Sequence, residues 1–236
     1  MTTRLLLVGH GRMGKLVETL ASQHGCEIAG ILTSRSRSFD AVDDVDVAID
    51  FSLAGAVREN VEQLAARRIN VVIGTTGWQQ DEPSVRQLAE RSGIGVLASA
   101  NFSLGMHVFG AAVEAAARRF AAFDTGAWIH EAHHAAKKDA PSGTALLLRG
   151  IMESAGYRRP IDVSSTRAGS IPGTHTVGFD SAAETVTFTH TVRDRAVFAL
   201  GALEAAKWLK GKSGWFTMKD MLNGKLEVRS EKPEVK

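Results

Sequence analysis

The sequence predicts an α/β protein in which a doubly wound parallel sheet precedes a smaller α+β region. Two observations predict this architecture. Short apolar runs alternate with helical patterns as far as Ser103, and the alternation stops at Leu104, where a long helical pattern begins. Repeated β-α-β segments with short connections are typical of a parallel sheet that is covered by helices.

Composition and charge narrow the class of protein. With 236 residues, 44% apolar and 23% charged, the chain has the composition of an ordinary globular protein and can bury a sizeable core. A net charge of only +2 does not indicate binding to nucleic acid. No apolar run is long enough for a signal peptide or a bilayer span, and Cys26 is the single cysteine. We therefore expect a cytoplasmic protein that contacts neither nucleic acid nor membrane.

The first strand leads into a glycine-rich turn. Arg4–Val8 is an apolar run, and Glu27–Leu32 is a second one, with a helical pattern between them. The turn reads Gly9-His10-Gly11-Arg12-Met13-Gly14, which matches G-x-G-x-x-G in the strand–turn–helix context that dinucleotide binding requires. In that motif the first glycine allows the tight turn, the second admits the pyrophosphate, and the third lets helix and strand pack closely. These six residues are therefore predicted to bind a cofactor, in a sheet of the Rossmann type.

The end of the second strand bears on the choice of cofactor. It reads Thr33-Ser34-Arg35-Ser36-Arg37, and no carboxylate follows until Asp40. Since an acidic residue usually binds the ribose hydroxyls of NAD, hydroxyls and arginines here favour the 2′-phosphate of NADPH. We predict contacts from Ser34 and Arg35 and favour NADPH over NADH, with use of both left open. The alternative is that Arg35 and Arg37 are ordinary loop charges.

Three further strands complete the predicted sheet, at Asp46–Phe51, Asn70–Ile73 and Ile94–Ala98, with helices running to about Arg68 and through Arg91. Ligands of such sheets lie beyond the carboxyl ends of the strands. Two polar or small clusters occupy such ends and are predicted cofactor contacts, unless they are turn chemistry alone. They are Gly74, Thr75 and Thr76, and Ser99, Ala100, Asn101 and Phe102.

Beyond Ser103 the pattern changes to α+β with a small mixed sheet. Helices are predicted at Leu104–Phe120, at about Ser142–Ala155 and at Phe198–Leu209. Trp128-Ile129 is strand-like, and two longer segments, Arg167–Phe179 and Thr185–Arg193, have the composition of strands. The second of these alternates apolar and threonine residues, so its apolar face should be buried. The tail from about Ser230 is charged and is expected to be frayed.

The residues Glu131 to Ala145 concentrate chemistry in one stretch. His133 and His134 can gain and lose a proton near neutral pH, and Lys137 and Lys138 supply positive charge. Ser142, just after Pro141, is a candidate helix start whose free N–H groups would favour an anion. The stretch therefore predicts a site that binds and protonates an acidic small molecule.

Four motifs together resemble those of the dihydrodipicolinate reductase family. They are the glycine turn, Gly74-Thr75-Thr76-Gly77, Ala100-Asn101-Phe102-Ser103 and the stretch E-x-H-H-x-x-K-x-D-A-P-S-G-T-A, which begins at Glu131. Arg167-Ala168-Gly169, Gly173-Thr174-His175 and Gly214–Met218 also resemble family segments, so the resemblance spans nearly the whole chain. It implies a dinucleotide-binding domain at 1–103 and 211–236. It also implies a substrate-binding and oligomerisation domain at 104–210 and a homotetramer.

The resemblance also implies roles and a reaction. His133 would be the general acid/base, Lys137 the proton donor and His134 a substrate contact. Gly143 and Thr144 would bind a substrate carboxylate, and Lys138, which matches no fixed family position, would be a solvated charge. The implied reaction is the NAD(P)H-dependent reduction of 4-hydroxy-tetrahydrodipicolinate, a small dicarboxylate, to tetrahydrodipicolinate in diaminopimelate and lysine biosynthesis.

Two other classes of function remain as alternatives. A nucleotide-binding sensor without catalysis would keep the glycine turn but has no need of His133 and Lys137. His130-Glu131-Ala132-His133-His134 also matches H-E-x-x-H, the zinc-peptidase pattern, which needs both outer histidines on one helix face. Ala127-Trp128-Ile129 is strand-like and leads into the motif, so we predict no metal.

Overall fold

The structure is a computed structural model that describes residues 2–34, 38–39 and 44–230, without the side chains of 225–230. It divides into two compact units, the first formed by 1–103 and 196–236 and the second by 104–195. Within the described ranges, no helix is long and apolar enough to cross a membrane.

The first unit is built on a six-stranded parallel sheet in the order β10-β5-β4-β3-β1-β2. Five strands are those that the sequence predicts, with ends that differ by at most one residue. The bounds are β1 (Thr3–Val8), β2 (Cys26–Leu32), β3 (Val47–Asp50), β4 (Asn70–Ile73), β5 (Gly95–Ala98) and β10 (Gly214–Phe216). The predicted fold class, a doubly wound parallel sheet beside a mixed sheet, is therefore confirmed.

Strand order places a crevice beside the glycine turn. From β1 the chain passes to β2 on one side and then to β3 on the other side of β1. The connections leave in opposite directions at this topological switch point, where open α/β sheets bind their ligands. The helices of this unit are α1 (Arg12–Ala21), α2 (Val57–Ala66), α3 (Glu82–Ser92), α6 (Ala196–Leu209) and α7 (Met218–Ser230).

Helix α6 lies in the first compact unit, whereas the resemblance implies a second domain that extends to residue 210. The helix packs on β3, β4, β5 and α1, so the first unit resumes at Ala196. Seven of its fourteen residues are buried, mostly alanines and leucines, which let it lie close to the sheet. A strongly apolar helix buries equally well against either unit, so its composition does not identify its partner.

The side chain of Asn70, at the start of β4, joins three elements of this unit. Its Oδ1 accepts a hydrogen bond from the N–H of Gly95 at 2.7 Å. Its Nδ2 donates to the carbonyls of Leu209 and Lys212 at 2.8 and 2.9 Å. One buried amide therefore satisfies backbone groups of β5 and of the end of α6.

The second unit is a four-stranded mixed sheet with two helices. Its order is β7-β6-β8-β9, in which β6 and β7 are parallel and the other pairs antiparallel. Where the sequence predicts one strand from Arg167 to Phe179, the structure has the end of β7, a turn and β8. The elements are α4 (Leu104–Phe120), β6 (Gly126–His133), α5 (Gly143–Ser154), β7 (Ile161–Arg167), β8 (Thr174–Asp180) and β9 (Thr185–Thr191).

One face of this sheet is apolar at one end and polar at the other. Val163, Ile129, Val177 and Phe188 lie side by side across the four strands and belong to the core that includes α4 and α5. The next row on the same face lies two residues away on each strand. It consists of Ser165, Glu131, His175 and His190. The alternation that buries the core thus also positions a row of polar side chains.

Candidate active site

A cavity of about 620 Å³ lies at the carboxyl ends of β1, β2 and β3. Of the predicted cofactor contacts, Gly9, His10, Gly11 and Ser34 line it. Its other lining residues, apart from Thr33 at the strand end already discussed, were not predicted from the sequence: Val8, Lys15, Leu32, Phe39, Phe51, Ser52, Leu53, Ala56 and Asn60.

The glycine turn has the close contacts that the motif requires. Gly9 adopts a φ of +97°, and a Cβ there would lie 2.4 Å from the carbonyl oxygen of Phe51. A Cβ on Gly14 would lie 2.2 Å from the carbonyl oxygen of Gly9, whereas none of the described atoms lies within 4 Å of one on Gly11. Gly11 is also the N-cap of α1 and brings no side chain to it. The turn therefore leaves open space before a helix N-terminus, which fits the pyrophosphate of a dinucleotide.

The other predicted cofactor contacts do not line the cavity. Arg12 and Met13 begin α1. The side chain of Thr75 is buried and donates to Oδ1 of Asp50 at 2.7 Å, and Phe102 is buried with its ring edge towards Phe51. The remainder lie in the turns after β4 and β5: Gly74, Thr76, Ser99, Ala100 and Asn101. Arg35 lies outside the described residues.

Asp50 supports this crevice and was missed by sequence reasoning. Its carboxylate is buried at the end of β3 and accepts hydrogen bonds from Ser52 N, Thr75 Oγ1 and Asn60 Nδ2 at 2.7–2.9 Å. Ser52 and Asn60 both line the cavity. The sequence did carry a signal, since an acidic residue ends a strand that is otherwise apolar.

The second candidate site lies at the polar end of the inner face in the second unit. His133 and Arg167 are paired across β6 and β7, one row beyond Glu131 and His175. The imidazole rings of His133 and His175 meet edge to face with centroids 5.1 Å apart. Sequence reasoning found His133 but not Glu131, Arg167 or His175, although the spacing of Glu131 and His133 already places both on one face of a strand.

Glu131 is the fully buried centre of this cluster. Its Oε1 accepts hydrogen bonds from Ser165 Oγ at 2.6 Å, Arg167 Nη2 at 2.7 Å and Ser142 N at 3.1 Å. Burial alone would raise the pKa of this carboxyl. The hydrogen bonds from Arg167, Ser165 and Ser142 outweigh burial and lower the pKa to about 2. The carboxylate is therefore ionised at neutral pH.

His133 faces this carboxylate. Its Nδ1 lies 2.5 Å from Oε2 of Glu131, so the carboxylate favours a proton on that nitrogen and forms an ion pair with the ring only when His133 is protonated. Burial lowers the pKa of His133 from 6.5, Glu131 opposes that effect, and Lys137 and Arg167 reinforce it. The pKa of His175, which burial and then His133 lower most, is about 4. His175 is therefore neutral at pH 7.

The rest of the predicted site follows β6. Nζ of Lys137 lies 2.7 Å from Oδ1 of Asp139. His134, the first residue after β6, is half-buried. Lys138 is exposed, as the sequence predicts. Beyond the turn, Ser142 is the N-cap of α5, and its Oγ accepts from the N–H of Ala145.

The N-terminus of α5 is open to an anion. Gly143 and Thr144 are its first two residues, and such N–H groups have no partner within the helix. A Cβ on Gly143 would meet none of the described atoms within 4 Å, so there is room for a ligand. Helix termini of this kind favour carboxylates and phosphates.

The geometry does not suit a metal ion. Glu131, His133 and His175 bring ligand atoms within 4.8 Å of one another. In a tetrahedral zinc site with bonds of 2.0–2.2 Å, neighbouring ligand atoms lie about 3.3–3.5 Å apart, but His133 Nδ1 and Glu131 Oε2 are 2.5 Å apart. The H-E-x-x-H match fails as well, because His130 and Glu131 lie on β6 and alternate between its faces.

Comparison with known proteins now decides the family. A family model described as Dihydrodipicolinate reductase, N-terminus, matches residues 3–102. A second one, Dihydrodipicolinate reductase, C-terminus, matches residues 105–222. The chain belongs to the dihydrodipicolinate reductase family. The family predicted from the sequence, an NAD(P)H-dependent oxidoreductase of diaminopimelate and lysine biosynthesis, is thereby confirmed.

Individual members of the dihydrodipicolinate reductase family match over nearly their whole length. The 4-hydroxy-tetrahydrodipicolinate reductase of Christiangramia forsetii is 35% identical over 232 residues, which are 93% of this chain and 97% of that protein. That of Zymomonas mobilis subsp. mobilis is 37% identical over 245 residues, covering 92% of this chain and 95% of its own.

A solved member of the family has the same fold. The dipicolinate-bound dihydrodipicolinate reductase from Paenisporosarcina sp. TG-14 superposes with a TM-score of 0.77 at 22% identity, over 92% of this chain and 98% of that one. A probable dehydrogenase from Thermotoga maritima, with a TM-score of 0.57 and 10% identity over 94% and 89% of the two chains, shares the fold alone. Membership of the family implies a nicotinamide cofactor, and the glycine turn and its cavity fit one.

Proposed function

We propose that this chain reduces 4-hydroxy-tetrahydrodipicolinate to tetrahydrodipicolinate with NAD(P)H, in the biosynthesis of diaminopimelate and lysine. The observation that carries the proposal is the cluster of His133 and Lys137 beside the open N-terminus of α5. This cluster combines proton-transfer groups with carboxylate-binding groups, in a chain of the dihydrodipicolinate reductase family. A nucleotide sensor would need the cavity of the first unit but not this cluster.

Binding of the dicarboxylate falls to the second unit. The N–H groups of Gly143 and Thr144 donate to one carboxylate at the start of α5, and the helix dipole adds to the attraction. His134 and Lys137 contact the substrate from the turn after β6, where both side chains are partly exposed. These roles agree with the excess of positive charge and N–H donors on this side of the unit.

The bound cofactor would supply the hydride and the second unit the proton, and the 4-hydroxyl group of the substrate leaves as water. His133 is the general acid/base, since its imidazole is held beside Glu131 and titrates below its ordinary pKa of 6.5. Lys137 delivers a proton to the substrate, and Asp139 holds its ammonium group while no substrate is bound. Holding reactant and acid in fixed positions lowers the barrier further.

Cofactor binding falls to the first unit. The glycine turn at residues 9–14 would hold the pyrophosphate before α1, and the turns after β4 and β5 would supply the remaining contacts. We favour NADPH over NADH because the ribose end of the cavity offers Ser34, with Thr33 beside it, and no carboxylate from the described residues that line it. The ratio of kcat/KM for NADPH and NADH, measured for the wild type and for Arg35→Ala, tests this preference.

A homotetramer formed through the second unit's sheet is part of the proposal. The outer face of this sheet exposes threonines of β9 and residues of β7. Thr174 pairs with Thr191, and Thr176 with Thr189, through side-chain hydrogen bonds of 3.1 and 3.0 Å. Such an ordered polar face suits sheet-to-sheet assembly, and light scattering coupled to gel filtration measures the mass that decides it. A cytoplasmic location fits the buried, unpaired thiol of Cys26.

The direct test of the reaction is oxidation of NADPH or NADH that depends on substrate generated by dihydrodipicolinate synthase. We expect turnover only when the synthase and its substrates are present. Binding of NADPH without such turnover would instead support a sensor and would contradict the proposed function.

A further inference from the structure

Glu131 contacts four residues of the site, Ser142, Ser165, Arg167 and His133, but takes no direct part in the proposed reaction. Its Oε1 accepts three hydrogen bonds, from Ser165, Arg167 and the backbone of Ser142. Three donors at one oxygen fix the plane of the carboxylate and the direction of the other oxygen. That other oxygen, Oε2, faces Nδ1 of His133 at 2.5 Å.

A fixed carboxylate beside Nδ1 determines which ring nitrogen carries the proton. The proton is favoured on Nδ1, where the negative charge of Glu131 attracts it, so Nε2 becomes the nitrogen that exchanges a proton with the substrate. Nε2 lies on the opposite edge of the ring, where a Cβ added to Gly173 would approach it to 3.3 Å. Glycine at that position therefore keeps this edge of the imidazole uncrowded.

The same carboxylate also anchors the anion-binding helix. Ser142, whose N–H donates to Oε1, is the N-cap of α5, and its Oγ accepts from Ala145 N. Nε2 of His175 lies 3.2 Å from that Oγ and supports the cap from β8. The first residues of α5, which bind the substrate carboxylate in the proposed function, are thus positioned by a direct bond to Glu131.

We propose that Glu131 is the positioning residue of this active site, which sets the tautomer and orientation of His133 with one oxygen and the start of α5 with the other. The inference rests on the proposed function for its kinetic consequence, but the contacts themselves do not depend on it. Glu131 touches neither substrate nor cofactor and acts through His133 and Ser142.

The charged and titratable groups around His133 make the effect measurable. Glu131 lies on the same strand, Lys137 follows that strand, Arg167 comes from β7, and His175 comes from β8. Burial, Lys137 and Arg167 lower the pKa of His133, whereas Glu131 raises it. Replacing Glu131 by a neutral residue must therefore lower that pKa further, which a purely structural role would not do.

The experiment compares the full-length wild type with Glu131→Gln, which keeps the size of the side chain and removes its charge. Nitrogen-15 NMR of the imidazoles reports the pKa and the tautomer of His133 directly. In Glu131→Gln we expect a lower pKa and a loss of the Nδ1–H tautomer. In the same variant we expect kcat to fall by roughly 10²-fold, with the KM for the cofactor unchanged. Glu153→Gln, the same chemical change at an exposed position of α5, is the matched control and should alter none of these values.

Folded Glu131→Gln with the wild-type tautomer and pKa of His133 would overturn the inference, whether or not the chain is a reductase. Absence of turnover in the wild type would instead overturn the proposed function, and the NMR comparison would still test the contact. If Glu131→Gln does not fold, Glu131→Asp replaces it, because the shorter side chain keeps the charge but moves it away from Nδ1. Wild-type tautomer and kcat in Glu131→Asp would also contradict the inference.

Discussion

Lys137 and Asp139 form an ion pair whose two members have different predicted roles. Their ion pair is at least partly exposed on both sides, and Asp139 has a side chain that is 56% exposed. The hydrogen bond from Lys137 lowers the pKa of Asp139. Exposed pairs of this kind stabilise a protein by about 0–1 kcal/mol. We therefore expect the ion pair to add little to stability, and the proposed function assigns the proton transfer to Lys137 alone.

Two variants separate these roles. Lys137→Met should lower kcat by roughly 10²-fold because it removes a proton donor. Asp139→Asn should change kcat by less than about fivefold, since it removes only an exposed ion pair. Steady-state kinetics at saturating cofactor measure both effects. Equal losses in the two variants would show that the ion pair, rather than the lysine, is needed for turnover.

At the scale of elements, alternation along strands explains both what the sequence predicted and what it did not. The parallel strands of the first unit are short apolar runs bounded by turns, so their positions follow from composition. In β7, Ser165 and Arg167 interrupt the apolar pattern because they serve the site. The sequence therefore did not predict β7, apart from Arg167, which was joined to the segment that contains β8. A strand whose inner face is half core and half active site has no simple apolar signature.

Asn70 gives a test at the same scale. Asn70→Ala would leave three backbone groups of β5 and of the end of α6 without their buried partner. We expect the free energy of unfolding to fall by about 2–4 kcal/mol, measured by urea denaturation. Asn223→Ala, on the exposed side of α7, is the control and should change it by less than about 0.5 kcal/mol. A loss of similar size in the control would contradict the structural role assigned to Asn70.

For the whole molecule, the sequence predicted the two architectures and the family but not the path of α6 or the polar contacts of the site. Motifs predict ligand-binding residues, such as Gly9 and His133, because ligand chemistry restricts their type. The hydrogen bonds by which Glu131 and Asp50 position neighbouring residues depend on strand register and on residues that are distant in sequence. Such contacts follow only from the assembled sheet.

Among the described groups whose pKa the fold lowers, His175 and Glu131 have the largest shifts, and both make the stability of the chain depend on pH. Protonation of unfolded His175 at its ordinary pKa of 6.5, against about 4 in the fold, removes stability as the pH falls from 6.5 to 4. The pKa of Glu131 is about 2 in the fold and 4.5 in the unfolded chain, so its protonation removes further stability as the pH falls from 4.5 to 2. The difference in pKa corresponds to about 3 kcal/mol for each group.

We therefore expect the melting temperature to fall in two stages on acidification. His175→Gln should flatten the stage between pH 6.5 and 4 and leave the lower stage in place. His24→Gln, in the first unit, is the control for the substitution itself. Calorimetry across this range decides the matter, and an unchanged upper stage in His175→Gln would show that other groups produce it.

The proton-transfer role of His133 is tested most directly by comparing wild type and His133→Gln in the reductase assay. The Kd of NADPH is measured in parallel. The central claim is that a buried imidazole of the second unit transfers the proton while the first unit holds the cofactor. It predicts that kcat falls by roughly 10²–10³-fold while the Kd of NADPH stays within about twofold. A wild-type kcat in His133→Gln, or an equal loss of cofactor binding, would contradict it.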